Sequence, residues 1–182
     1  PRDLDGTPNW RTDPDQSPGG YFSDLASHGI DLFQHLLGDI EAVHGLATNQ
    51  QGLYRADDAF VASWRFASGA LGSGSWNFGA DRRRDEVEIV GARGTIRFSV
   101  FDEAPLTVEA GGRTRSVLIE NPLHIQRPHV ENMVRQLRGG EPHPSPGIEA
   151  AKTSRVIDGI LGLRGPPNQR PARLRAAPRH GR

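Results

Sequence analysis

Between Tyr21 and Leu37 the apolar residues recur with a helical period. Leu25, Ala26, Ile30, Leu32, Phe33, Leu36 and Leu37 gather on one broad arc. Gly38 follows as a natural stop, so the spacing predicts a helix over 21–37. Asp24, His28, Asp31 and His35 fall in a narrow polar stripe on the other side. From about Ile40 to Glu120 the period shortens to two. Phe60, Ala62, Trp64 and Phe66 alternate with Ala59, Val61, Ser63 and Arg65, the mark of a half-buried strand. Ser68-Gly69 turns the chain into a Gly- and Ser-rich partner strand at 70–78. A second hairpin joins 86–90 to 95–100 through Gly91-Ala92-Arg93-Gly94, and a third joins 106–109 to 116–120 through Gly111-Gly112. Strands joined by tight turns are antiparallel. A helical period returns from Pro128 to about Arg138, and again over 148–163. Helix, sheet, helix, helix predicts an α+β fold: a mainly antiparallel open sheet of about six strands with helices packed on one face.

Composition narrows the picture. The 182 residues suit one domain plus a tail, and 35% hydrophobic residues with 22 glycines permit a buried core. Zero cysteine excludes a disulfide scaffold, a zinc finger and a thiol nucleophile. No apolar run reaches the ~18 residues of a membrane span, and the opening Pro-Arg-Asp-Leu-Asp does not read as a signal peptide. A cytoplasmic location with no membrane partner is the expectation. The net charge of zero hides an asymmetry: residues 164–182 hold six arginines and no acid, which leaves 16 basic and 22 acidic residues in 1–163. The expected organisation is a folded domain at 1–163 and a disordered Pro/Arg-rich tail at 164–182. That tail lacks the aromatic interleaving of a nucleic-acid binder, so no nucleic-acid partner is expected.

The chemistry concentrates at Gly19-Gly20-Tyr21-Phe22-Ser23-Asp24-Leu25-Ala26-Ser27-His28. Two glycines at a helix start admit a close backbone or ligand. Asp24 and His28 stand one helical turn apart, ~6 Å along the axis, so they can serve one reacting atom. The aspartate could hold the imidazole in one tautomer while its other nitrogen exchanges a proton with a substrate hydroxyl. A solvated helix face, with Asp24 as a mere cap, is the plain alternative. A metal site on the Asp/His stripe ranks low, because His28 and His35 stand about two turns, ~10.5 Å, apart. Trp10-Arg11 could stack on and bond a sugar or carboxylate, and His124 stands at the approach to a helix. No strand–Gly-x-Gly-x-x-Gly–helix occurs; the glycine-rich 69–74 lies in a hairpin with no helix after it. Lys152 is the only lysine.

These residues carry a resemblance. Asn9-Trp10-Arg11-Thr12-Asp13-Pro14 followed by Gly19-Gly20-Tyr21-Phe22-Ser23-Asp24-Leu25-Ala26-Ser27-His28-Gly29-Ile30-Asp31 is similar to the start of the C-terminal domain of Gfo/Idh/MocA-type oxidoreductases, anhydrofructose-reductase-like members most of all. Weaker echoes are Ser75-Trp76-Asn77-Phe78, Glu88-Ile89-Val90-Gly91-Ala92-Arg93-Gly94 and Gly147-Ile148-Glu149-Ala150-Ala151-Lys152. The resemblance implies a glyceraldehyde-3-phosphate-dehydrogenase-like C-terminal fold. It implies that His28 and Asp24 are catalytic and that Trp10, Arg11 and His124 bind a sugar or polyol. It implies NAD or NADP bound mainly by an N-terminal Rossmann domain not among these residues, and a homodimer or homotetramer formed through the sheet face. Pro18 replaces a common third glycine, and Lys152 is too far along the chain to stand for the family's catalytic lysine. A non-catalytic binding or assembly module of the same fold is the alternative function.

Overall fold

The computed structural model describes residues 9–163; the expected tail at 164–182 lies outside them. A 3₁₀ turn, Trp10–Thr12, precedes helix α1, Gly20–Leu37. Seven strands follow: β1 Ile40–Thr48, β2 Ala59–Phe66, β3 Leu71–Asn77, β4 Val87–Gly91, β5 Gly94–Phe98, β6 Leu106–Ala110 and β7 Arg113–Val117. Helices α2, Arg127–Leu137, and α3, Gly147–Ile160, close the order. The α+β class, the antiparallel pairing and the helix positions agree with the sequence. The strands, however, divide into two sheets, β1-β2-β3 and β4-β5-β6-β7, where about six in one sheet were expected. The Gly79-Ala80-Asp81-Arg82-Arg83-Arg84 stretch between β3 and β4 forms no strand, and Arg83 and Arg84 there pair with Asp102 and Glu86. β1, for which the sequence pattern predicted no separate strand, pairs with β2 and shifts register between Ile40 and Ala42.

The chain forms two compact units: one reaches to Asp81 and resumes at Gly147, the other is Arg82–Pro146. In the first, the inward positions of β2 (Phe60, Ala62, Trp64 and Phe66) are all buried. Phe22, Ala26 and Ile30, one helical turn apart on α1, meet them, as do Val156, Ile157 and Ile160 of α3. Phe22 stacks on Phe60 with ring centroids 4.5 Å apart. Gly72 opposes Trp64 across the β2–β3 ladder, and a Cβ there would lie 2.3 Å from the indole nitrogen. The glycine-rich strand is thus what makes room for an indole in the core. The buried stripe of α1 is not centred where the sequence arc was: Phe22 is fully buried, whereas Leu36 is exposed.

The stripe ends in polar residues that tie three elements together. Buried Gln34 donates from Nε2 to Thr153 Oγ1 of α3 at 3.1 Å and accepts from the Ile40 backbone N–H at 3.3 Å. Thr153 Oγ1 in turn donates to Asp31 Oδ1 at 2.9 Å. In the second unit, Ile89, Ile96 and Val108 line up across β4, β5 and β6, and Arg97 bridges Glu88 and Glu109 at 2.6 Å each. Helix α2 buries no residue.

Candidate active site

The site is built where the leading loop meets the start of α1. Asn9 caps the 3₁₀ turn: its Oδ1 accepts from Arg11 N at 2.9 Å, and its Nδ2 donates to Tyr21 Oη at 3.2 Å. That cap turns Trp10 and Arg11 toward the helix. The Arg11 guanidinium lies 4.4 Å from the Trp10 ring centroid, a cation–π contact. Its Nε donates to Asp24 Oδ2 at 2.6 Å, with both side chains about a third exposed. Asp24 stands in the second turn of α1, past the first turn where the helix dipole acts, so its partner is the Arg11 guanidinium.

Gly20 is what lets these elements close up. It has φ +54°, and a Cβ on it would lie 2.8 Å from the Arg11 carbonyl oxygen and 3.0 Å from Ala56 Cβ. Any other residue would have to push the leading loop off the helix. The expectation that paired glycines admit a close backbone is met by the chain's own backbone.

Trp10, Arg11 and Asp24 therefore form one cluster. His28 follows Asp24 by one turn on the same helix, with its ring exposed. The polar stripe is otherwise divided: Asp24 serves Arg11, Asp31 serves Thr153, and His35 sits exposed in the last turn of α1. Two of the four groups a metal would need on this stripe are thus engaged elsewhere. His124 belongs to the second unit, exposed in the bend before α2, where its carbonyl accepts from Arg127 N at 2.9 Å.

Several residues outside the sequence motif shape the cluster. Arg55 Nη1 meets Asp13 Oδ1 at 3.0 Å and Arg55 Nη2 meets Asp15 Oδ2 at 2.8 Å. The Gln16 side chain and the Asp15 backbone N–H bond to Asp13 and, with the Arg55 charge, hold its carboxyl below the usual carboxylate range. Tyr21 packs against both Tyr54 and Phe78, with centroids 5.8 Å apart in each case. The Tyr54 hydroxyl is buried with no hydrogen-bond partner, and burial, helped by the Asp58 charge, pushes the phenol up. An Asx cap at Asn9 and a buried acid pair at Asp57-Asp58 before an apolar strand were the signals that could have drawn attention here.

Residues 1–97 match the family model described as the GFO/IDH/MocA C-terminal domain. Oxidoreductase P35 of Formosa agariphila is 36% identical over 154 residues, 85% of this chain and 47% of that protein. The 2,7-anhydro-N-acetylneuraminate hydratase of Escherichia coli K12 is 28% identical over 145 residues, 76% of this chain and 38% of that protein. The chain thus spans half or less of the length of these curated relatives. Among solved structures, levoglucosan dehydrogenase in complex with NADH and levoglucosan shares the fold, with TM-score 0.68 and 21% identity over 88% of this chain and 54% of that one.

Proposed function

The chain belongs to the GFO/IDH/MocA family as its C-terminal domain, and from that premise we propose that it is the substrate-binding half of an NAD(P)-dependent oxidoreductase acting on a sugar, polyol or related hydroxy compound. The observation that carries the reading is the Trp10–Arg11–Asp24 cluster one helical turn from His28. Such a cluster offers an aromatic surface for sugar C–H groups beside a hydroxyl donor, Arg11, and a hydroxyl acceptor, Asp24. In this reading His28 takes or returns the proton of the reacting hydroxyl as that carbon is oxidised or reduced. Asp24 holds Arg11 and steadies the His28 side of the pocket.

None of the described elements offers the strand–glycine loop–helix cradle of a dinucleotide; the glycine-rich hairpin runs straight from β2 into β3. The reading therefore assigns NAD or NADP, which supplies the hydride chemistry, to an N-terminal Rossmann domain. It further takes the enzyme to be cytoplasmic and to assemble as a homodimer or homotetramer through the open sheet face, where Val61 and Leu71 stand exposed. No helix among the described residues is long and apolar enough to cross a membrane. A second reading, net hydration or elimination at the same site, draws on the relative named as a hydratase.

The test joins the chain to its dinucleotide-binding domain and assays NAD+ and NADP+ with levoglucosan, glucose, glycerol and inositol. His28→Ala is expected to lower kcat by ~10²–10⁴ while cofactor affinity holds. Near-normal turnover in that variant overturns the role of His28. Substrate loss without net change in nicotinamide absorbance favours the hydratase reading.

A further inference from the structure

We propose that Arg55 and Asp58, on the connection between β1 and β2, are positioning residues for the Trp10–Arg11 end of the substrate pocket. The proposal rests on the pocket reading above. It begins with Asp58, which has no exposure at all. A carboxylate at such depth must be fully bonded. Its two oxygens accept the backbone N–H groups of Gln50 at 2.7 Å and Gln51 at 2.8 Å. Its own backbone is fixed at both ends, since Asp58 N donates to Thr48 O at 3.1 Å and Asp58 O accepts from Phe78 N at 2.8 Å. Asn49 closes the loop further, accepting from Gly52 N at 2.8 Å and donating to Tyr54 O at 2.5 Å. Residues 49–58 are therefore a rigid arm rather than a slack connection.

The arm reaches the leading loop at two points. Ala56 N donates to Thr12 O at 3.2 Å, directly behind the Trp10–Thr12 turn. Arg55 spreads its guanidinium fork across Asp13 and Asp15, two carboxylates of a single turn. The Trp10–Thr12 turn is thus held from α1 through Asp24 and from the arm through Ala56, and Arg55 clamps the 13–16 turn that continues it. A planar fork fixes two acceptors at once, in distance and in orientation, which a lysine point charge cannot do.

Magnitude separates positioning from stability here. Arg55 is two-thirds exposed, and exposed ion pairs contribute little to folding. A purely structural role therefore predicts small effects on everything. A positioning role at the Trp10–Arg11 binding end predicts a small effect on melting with a large effect on substrate affinity, because misplaced contact groups weaken binding while the His28 end that carries the chemistry stays in place.

The experiment compares Arg55→Gln, Arg55→Lys and Asp58→Asn with the parent, in the enzyme joined to its dinucleotide-binding domain. Acrylamide quenching of Trp10 fluorescence is isolated by difference against the same protein carrying Trp10→Phe, which removes that one indole and keeps Trp64 and Trp76 of this chain. KM and kcat are measured for the panel sugar turned over fastest. Arg55→Gln is expected to raise Trp10 quenching about twofold and KM about tenfold, with kcat within about twofold and Tm within about 2 °C. Arg55→Lys should fall between that variant and the parent, and Asp58→Asn should match or exceed Arg55→Gln. Unchanged quenching in Arg55→Gln overturns the positioning role. Raised quenching with unchanged KM instead overturns the pocket reading of Trp10 and Arg11. Because Arg55 is exposed, its variants stay informative even where Asp58→Asn fails to fold.

Discussion

Both units of the chain combine an antiparallel sheet with helix, yet they place their apolar residues differently. The unit built on α1, β1–β3 and α3 buries every residue of the hydrophobic core, from Phe22 to Ile160. The Arg82–Pro146 unit buries only His143 and leaves Val90, Leu123, Ile125, Val130 and Leu137 exposed. Its sheet is a meander in which each strand pairs with its sequence neighbour, and its cohesion leans on ladders and on Arg97 bridging three strands. The first unit gathers elements more than a hundred residues apart, as Gln34 and Thr153 show. The cluster of Trp10, Arg11 and Asp24 therefore stands on the part of the chain with its own core. Rigid support is what a pocket needs, because first-contact groups must be held to about half an ångström.

The strongest way to break this contrast is to truncate one apolar strand residue in each unit. Phe60→Ala deletes a ring that is 2% exposed and stacked on Phe22, and is expected to cost about 3–5 kcal/mol in urea unfolding. Val90→Ala in β4, whose side chain is 71% exposed, should stay within about 0.5 kcal/mol. A Val90→Ala cost approaching that of Phe60→Ala would mean that the second sheet's outer face is covered in solution, and the contrast would fail.

Glycines sharpen it at the next level. Gly20 and Gly112 both have positive φ, +54° and +71°. Around Gly112, in the β6–β7 turn, nothing lies within 4 Å of an added Cβ, so Gly112→Ala meets only the left-handed backbone penalty, about 1–2 kcal/mol. At Gly20 the same penalty is joined by clashes with the Arg11 carbonyl and Ala56. Gly20→Ala should therefore cost about 1–3 kcal/mol more and shift the leading loop, seen as raised acrylamide quenching of Trp10. Equal costs at the two glycines would show that the loop yields freely.

What could be read from the sequence follows the same divide between local and distant information. The hairpins and the span of α1 were legible because period and turn chemistry are local. The buried stripe of α1 was drawn toward Leu36, whereas the sheet selects Phe22, Ala26 and Ile30. That choice depends on where Phe60 stands, thirty-eight residues further along the chain. Trp10, Arg11, Asp24 and His28 were legible as a motif, but the Arg11–Asp24 partnership was not. It forms only because Gly19-Gly20 folds the leading loop back over the helix. Asp58 showed in the sequence only as half of the Asp57-Asp58 pair before an apolar strand, and Arg55 not at all, since their meaning lies in an arm reaching from one loop to another. His124 lies in the Arg82–Pro146 unit, and its part in binding rests on the sequence motif alone.

pH gives the gentlest probe of the contrast. In the second unit the shifted groups are Arg97 and Arg127, raised first by hydrogen bonds to Glu109 and Glu131, so neither guanidinium titrates between acid and moderately alkaline pH. The first unit holds groups at both ends of the range. Asp13 is held below its usual value of 3.8, chiefly by the Gln16 side chain. Its contribution is complete above that value and is lost as pH falls through the lower folded value. Lys152, bonded first to Asp39 and then to Glu149, is raised above its usual 10.5. Its contribution is complete below that value and is lost as pH rises through the higher folded one. Acid should therefore loosen the leading loop at the Asp13–Arg55 contact, and alkali should loosen α3 from the end of α1. Both effects should be small, because these groups are exposed to solvent. Amide hydrogen exchange corrected for intrinsic pH dependence should register them as local opening at 13–16 and at 147–153. Acid opening of β4–β7 before the 13–16 turn would place the pH-sensitive contact in the wrong unit.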